Sequence, residues 1–134
     1  MKKILTLVAG IIVAATLTSS RQAEKVITKE DGMTVVNTTE LSKDVIGYIS
    51  PTPLKIYIQK NKVVKVEALK NQETPKYFVK VKNALLEKWN GKKVAEAQKL
   101  KVDGVTGATM SSDAVIKNVQ LGLEYYQKNG KKKK

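Results

Sequence analysis

Asp103-Gly104-Val105-Thr106-Gly107-Ala108-Thr109-Met110-Ser111-Ser112 places small residues and four hydroxyls directly ahead of an apolar-periodic run. Such a junction can hold a phosphate. The first N–H groups of a helix have no intrahelical partner, and the helix dipole favours negative charge at that end. Glycine and alanine let the backbone approach an anion closely. A threonine inside the turn can contact the phosphate or be bonded to it.

The rest of the chain carries little side-chain chemistry. It has no cysteine and no histidine. Without cysteine there is no disulfide, thiolate metal site, cysteine nucleophile or lipidated N-terminus. Without histidine the commonest general base and metal ligand are gone. Neither a catalytic residue of its own nor a metal site is expected. Redox chemistry in such a chain comes from a cofactor.

Asp103-x-x-Thr106-Gly107-Ala108-Thr109-x-Ser111 resembles the flavinylation motif of the FMN-binding domain family. That family includes flavin-bearing components of the sodium-translocating NADH:quinone reductase and of the Rnf complex. A second landmark lies upstream: Gly47-Tyr48-x-x-Pro51, two strand-like runs, then Glu73-Thr74-Pro75. The order and approximate spacing of the family's pattern are kept from Gly47 to about Tyr126. Lys76 stands where many members have glycine.

The resemblance implies FMN joined through its phosphate to Thr109, donated from FAD by a flavin transferase. It implies that Asp103 belongs to what the transferase reads. Thr106, Gly107, Ala108, Ser111 and Ser112 would then surround the phosphate or ribityl chain, with hydroxyls and N–H groups donating. Glu73 and Thr74 would contact the isoalloxazine ring. Tyr48 is as well placed for packing as for contact. The role implied is a redox carrier, or a component of an oxidoreductase system, rather than a stand-alone enzyme. Its partners would be the transferase and a membrane redox donor.

The net charge of +13 includes six lysines at the ends, Lys2, Lys3 and Lys131 to Lys134, which leaves +7 on the remainder. A basic surface suits anionic lipid, nucleic acid or an acidic protein, or simply water. Met1-Lys2-Lys3 followed by the apolar run Ile4 to Leu17 and then Thr18-Ser19-Ser20 reads as a signal peptide or N-terminal anchor. The run falls short of the roughly 20 apolar residues of a comfortable span. Ser20 occupies the place of the lipidated cysteine in a bacterial lipoprotein leader. Each outcome puts the remainder of the chain outside the cytoplasmic membrane.

The expected organisation is a leader over 1–20, a linker and first strand over 21–44, the cofactor domain over 45–129 and a basic tail over 130–134. Arg21 to about Glu30 is polar and charged, as a linker would be. Met33 to Val36 is rich in β-branched residues. Leu54 to Gln59, a turn at Lys60-Asn61-Lys62 and Val63 to Leu69 predict a hairpin. Pro75 to about Trp89 carries an apolar stripe of Phe78, Val81, Leu85 and Trp89, with Thr74 as N-cap. Val94 to Lys101 is ambiguous between helix and a return to the sheet. Ser111 or Ser112 would cap a last helix to about Gln127, with Val115, Val119, Leu123 and Tyr126 facing the core. The fold class is α+β: a small domain with a β-hairpin or antiparallel sheet packed against two helices.

Two other readings compete with the flavin carrier. A basic membrane- or polyanion-binding structural module without cofactor would use the lysine tail, at about 1 kcal/mol per basic residue near an anionic surface. A nucleic-acid binder fits the charge, but the leader and the lack of an aromatic-rich basic motif argue against it.

Overall fold

The computed structural model describes residues 26–130. The leader, Ser20 and Lys131 to Lys134 lie outside the described residues. Four strands form one antiparallel sheet in the order β1-β2-β3-β4: β1 (Ile27–Glu30), β2 (Met33–Asn37), β3 (Leu54–Gln59) and β4 (Lys62–Ala68). The helices are α1 (Pro75–Leu85), α2 (Val94–Lys99) and α3 (Thr109–Tyr125). A π-helical turn, Tyr126–Gly130, follows α3.

Both hairpin turns place two successive residues in the left-handed region. Asp31 and Gly32 have φ of 51° and 80°, and Lys60 and Asn61 have 53° and 64°. That conformation matches the twist of the flanking strands. The first turn corrects the expectation that residues up to Glu30 form a linker. Ile27 pairs with Val36 and Glu30 with Met33, so this segment is an edge strand. The ambiguous stretch after Lys93 is the short helix α2, and Lys93 also bridges to Lys62 beside the second hairpin turn.

Helix α3 packs on β2 and β3 and touches α1 and α2. Its apolar side, Val115, Val119, Leu123, is completely buried, with Tyr126 beyond it. A Cβ on Gly122 would come within 2.6 Å of Ile56 Cδ1 and 3.0 Å of Thr38 Cγ2, so glycine lets α3 lie close on the sheet. The stripe of α1 is buried as its periodicity predicts, and Trp89, in the turns after α1, is a core residue. Asn118, fully buried in mid-helix, locks α3 in place. Its Oδ1 accepts from the hydroxyls of Thr38 and Ser42, each at 2.5 Å. Its Nδ2 donates to Thr52 Oγ1 at 3.3 Å and to the Ala114 carbonyl at 2.9 Å. Among the described residues no buried side-chain polar atom lacks a partner.

Candidate functional site

The start of α3 is built by a serine that faces inward. Ser112 Oγ donates to the Ala108 carbonyl at 2.8 Å and accepts the Val105 N–H at 2.9 Å. The Ala108 N–H closes a turn onto the Val105 carbonyl at 2.9 Å. Gly107 takes φ +85°, a conformation that side chains resist. The helix therefore begins at Thr109, with Ala108 as N-cap and no side-chain cap. This corrects the expected serine cap: both serines lie inside the first turn. The first helical bond runs from the Ser112 N–H to the Ala108 carbonyl at 3.0 Å. The N–H groups of Thr109, Met110 and Ser111 precede it and have no acceptor within the helix. Thr106, Gly107 and Thr109 are exposed.

Glu73 joins this turn to a second loop. Its carboxylate accepts the N–H groups of Tyr48 at 2.8 Å, Ile49 at 2.6 Å and Ser50 at 2.7 Å. It also accepts the Ser111 hydroxyl. Three successive backbone N–H groups wrapped around an anion form a nest. The loop is closed by the Gly47 N–H on the Ser50 carbonyl at 2.8 Å and by a bridge between Ile46 and Pro51. Asn71 Oδ1 accepts the Glu73 N–H at 2.9 Å and sets the approach of the side chain. Glu73 is 6% exposed. Burial pushes its carboxyl up, but the hydrogen bonds from Ser111, Tyr48, Ile49 and Ser50 outweigh burial and hold it below the usual carboxylate range.

Gly47 makes this junction possible. A Cβ there would lie 2.6 Å from Glu73 Oε1 and 3.3 Å from Ser111 Cα. The glycine-tyrosine loop, the Glu-Thr-Pro turn and the threonine turn are thus one hydrogen-bonded unit centred on Glu73.

A cavity of about 360 Å³ opens where these pieces meet, lined by Tyr48, Tyr77, Gly107, Ala108, Thr109, Met110 and Ser111. Thr109 stands in its wall at the N-terminus of α3, beside the unpaired N–H groups. The tyrosine rings give the cavity aromatic surface, and among the described residues no carboxylate lines it. Thr74 is the N-cap of α1 and half-buried, and Pro75 follows at the first helical position. Lys76 is helical and exposed, so glycine is not needed there; its Nζ lies 5.5 Å from the Tyr77 ring centroid.

The structure separates several residues that the sequence groups together. Asp103 does not line the Thr109 cavity. It lies on a second cavity of about 460 Å³ with Lys88, Lys92, Lys101 and Gly104 among its walls. The side chains of Ser111 and Ser112 are buried, and their hydroxyls already donate to Glu73 and to the Ala108 carbonyl. The Thr106 hydroxyl and the backbone N–H groups of that turn remain for an anion. The Glu73 carboxylate is likewise engaged within the protein, and the aromatic surface comes from Tyr48 and Tyr77. Sequence reasoning misses Tyr77 and Met110. A signal for Tyr77 exists: it falls off the apolar stripe of α1, so a large ring there has no core to join.

The family model described as the FMN-binding domain matches residues 47–124. Those bounds run from the glycine that accommodates Glu73 to the last turns of α3. No curated protein and no solved structure matches the chain.

Proposed function

Because the chain belongs to the FMN-binding domain family, we propose that it is an extracytoplasmic electron carrier holding FMN covalently on Thr109. The exposed Thr109 hydroxyl at the first position of α3, inside an aromatic-lined cavity, is the observation that carries this reading.

The residues present fit the group. The N–H groups of Thr109, Met110 and Ser111 suit a phosphate, and the helix N-terminus offsets its charge by roughly 0.3–1 kcal/mol when exposed. Gly107 and Ala108 leave the approach to these donors uncrowded. Tyr48 and Tyr77 offer flat apolar surface to a ring system. Bound FMN supplies one- and two-electron chemistry that the side chains lining the cavity do not.

Loading falls to a separate enzyme. Among the described residues no titratable group other than the two tyrosines lines the cavity, and Glu73 is fully occupied. The chain therefore brings no general base to Thr109. A flavin transferase would take the proton from the Thr109 hydroxyl. The Thr109 oxygen would bond to the FMN-side phosphorus of FAD as the pyrophosphate bond breaks, with AMP as the leaving group. Asp103 lines a different cavity from Thr109, which supports a role in what the transferase reads.

A covalent tether suits a protein outside the cell, where a dissociable flavin is lost by dilution. The leader supports export. The carrier would pass electrons from a donor in the membrane to an acceptor beyond it. Co-expression with a flavin transferase, followed by intact mass measurement under denaturing conditions, tests the reading. The wild type gains the mass of FMN less water and Thr109→Ala does not. An unchanged wild-type mass, with the transferase shown active on a control substrate, would refute it.

A further inference from the structure

Seven large hydrophobic residues are exposed among the described residues, and six of them come from three segments around the Thr109 cavity. Ile46, Tyr48 and Ile49 belong to the loop held by Glu73, Tyr77 and Val79 to α1, and Met110 to the first turn of α3. Tyr48, Tyr77 and Met110 line the cavity itself. Ile46 and Ile49 do not, yet each is about half exposed, at 51% and 53%; Val79, at 49%, points to the other side of α1 from Tyr77, onto a cavity lined by Lys70, Asn71 and Lys82. Scattered apolar residues on a surface need no explanation, but a contiguous group does. The loop cannot fold these two isoleucines inward, because the N–H groups of Tyr48, Ile49 and Ser50 are pinned to a buried carboxylate.

Helix α1 brings charge of one sign to this apolar group, while the exposed Asp44 and Asp113 stand beside Ile46 and Met110. From Ala68 to Leu86 the only acidic residue is Glu73, which is buried and satisfied. The same stretch carries Lys70, Lys76, Lys80 and Lys82, all exposed. Lys76 and Lys80 are one turn apart on α1 and share a side of it. The loop from Ile46 to Pro51 is uncharged. An apolar centre flanked by lysines along α1 suits a protein partner that is acidic on that side.

We propose that this face, the 46–51 loop with α1 and Met110, docks an acidic redox protein against the cofactor edge. The proposal rests on the flavin reading for the partner's role, but its binding surface exists without flavin. Transient redox complexes are small, so a few apolar contacts and a lysine border are enough. The lysines of α1 speed encounter with an acidic partner and turn it toward the cavity.

The test uses the full chain, flavin-free and flavin-loaded, labelled with nitrogen-15. It is titrated with a reduced acidic blue-copper protein at low and high salt. The readouts are amide shift changes and the dissociation constant. The expected shifts map to 46–51, 75–82 and 109–111 and disappear at high salt. The variant K76E/K80E/K82E should weaken binding by about tenfold or more, through lost charge complementarity. The variant K60E/K62E/K93E removes the same charge at the hairpin tip, roughly 20 Å along β3 by strand rise. It should weaken binding by less than about twofold.

Equal weakening by the two variants, or shifts centred on the hairpin tip, would overturn the proposal in favour of unspecific attraction. Shifts of the 46–51 loop only with vesicles of equal parts phosphatidylcholine and phosphatidylglycerol, and none with the acidic protein, would make this a lipid-facing surface instead. Failure of docking in flavin-loaded protein leaves the cofactor reading standing. Failure of loading leaves the docking measurement intact.

Discussion

Replacing Glu73 by glutamine tests the junction on which the site is built. The carboxylate has two oxygens and four close donors aimed at them, three loop N–H groups and the Ser111 hydroxyl, with the Ser50 hydroxyl farther off at 3.5 Å. A glutamine keeps one acceptor oxygen and turns an NH2 toward N–H groups that need an acceptor. Hydrogen bonds to a charged group are worth about 1.5–3 kcal/mol each, part of which water recovers when the loop lifts away. Glu73→Gln should therefore cost about 2–4 kcal/mol at neutral pH, read by denaturant unfolding.

The pH dependence gives the sharper result. The folded carboxyl lies below its ordinary value of 4.5. Its contribution is complete above that value and is lost as pH falls through the folded value. The gap between wild type and Glu73→Gln should narrow below pH 4.5, while other carboxylates cancel in the comparison. A gap below about 0.5 kcal/mol at neutral pH, within what surface substitutions give, would refute the junction. So would a gap that stays constant into strong acid.

Three further outcomes follow from the same geometry. Gly47→Ala drives a Cβ into a carboxylate that four hydrogen bonds hold still, and should cost about 1–3 kcal/mol in thermal or denaturant unfolding. Asn118→Leu strips the Thr38 and Ser42 hydroxyls of their shared buried acceptor and should cost about 2–4 kcal/mol by the same assay. Tyr57 is pushed up to about 12 by burial, then by Glu67 and Glu30 beside it. The stability it adds is present below its ordinary 10.0 and lost as pH rises through about 12, so ultraviolet titration of Tyr57→Phe should lack a phenolate step near pH 12.

Much of the site is legible in the sequence because small residues carry their meaning locally. Gly107, Ala108 and Thr109 mark a turn into a helix in any context, and the stripes of α1 and α3 announce their buried sides by period alone. The cap is not legible, because Ser111 and Ser112 look like N-caps while their partners decide their role. Ser112 reaches back to Val105 and Ala108, and Ser111 reaches 38 residues away to Glu73. A contact of that separation leaves no periodic trace. Gly47 and Glu73 stand out in the sequence as landmarks of the family pattern, but only their approach in space shows why one must be glycine. Strand β1 is hidden by its polar residues, although Asp31-Gly32 is a turn pair that signals its hairpin. The apolar face around the cavity is invisible for the same reason as the Ser111 contact: its five residues come from three separated segments.

Attachment of the flavin to Thr109 is the point on which the proposed function stands. After co-expression with a flavin transferase, tryptic digestion between Lys101 and Lys117 releases one peptide that contains Thr106, Thr109, Ser111 and Ser112. Fragmentation of that peptide separates the four hydroxyls. The mass of FMN less water is expected on Thr109, retained in Thr106→Ala and absent in Thr109→Ala. The same mass on Thr106, Ser111 or Ser112 in the wild type, or its survival in Thr109→Ala, would place the flavin elsewhere and contradict the assignment.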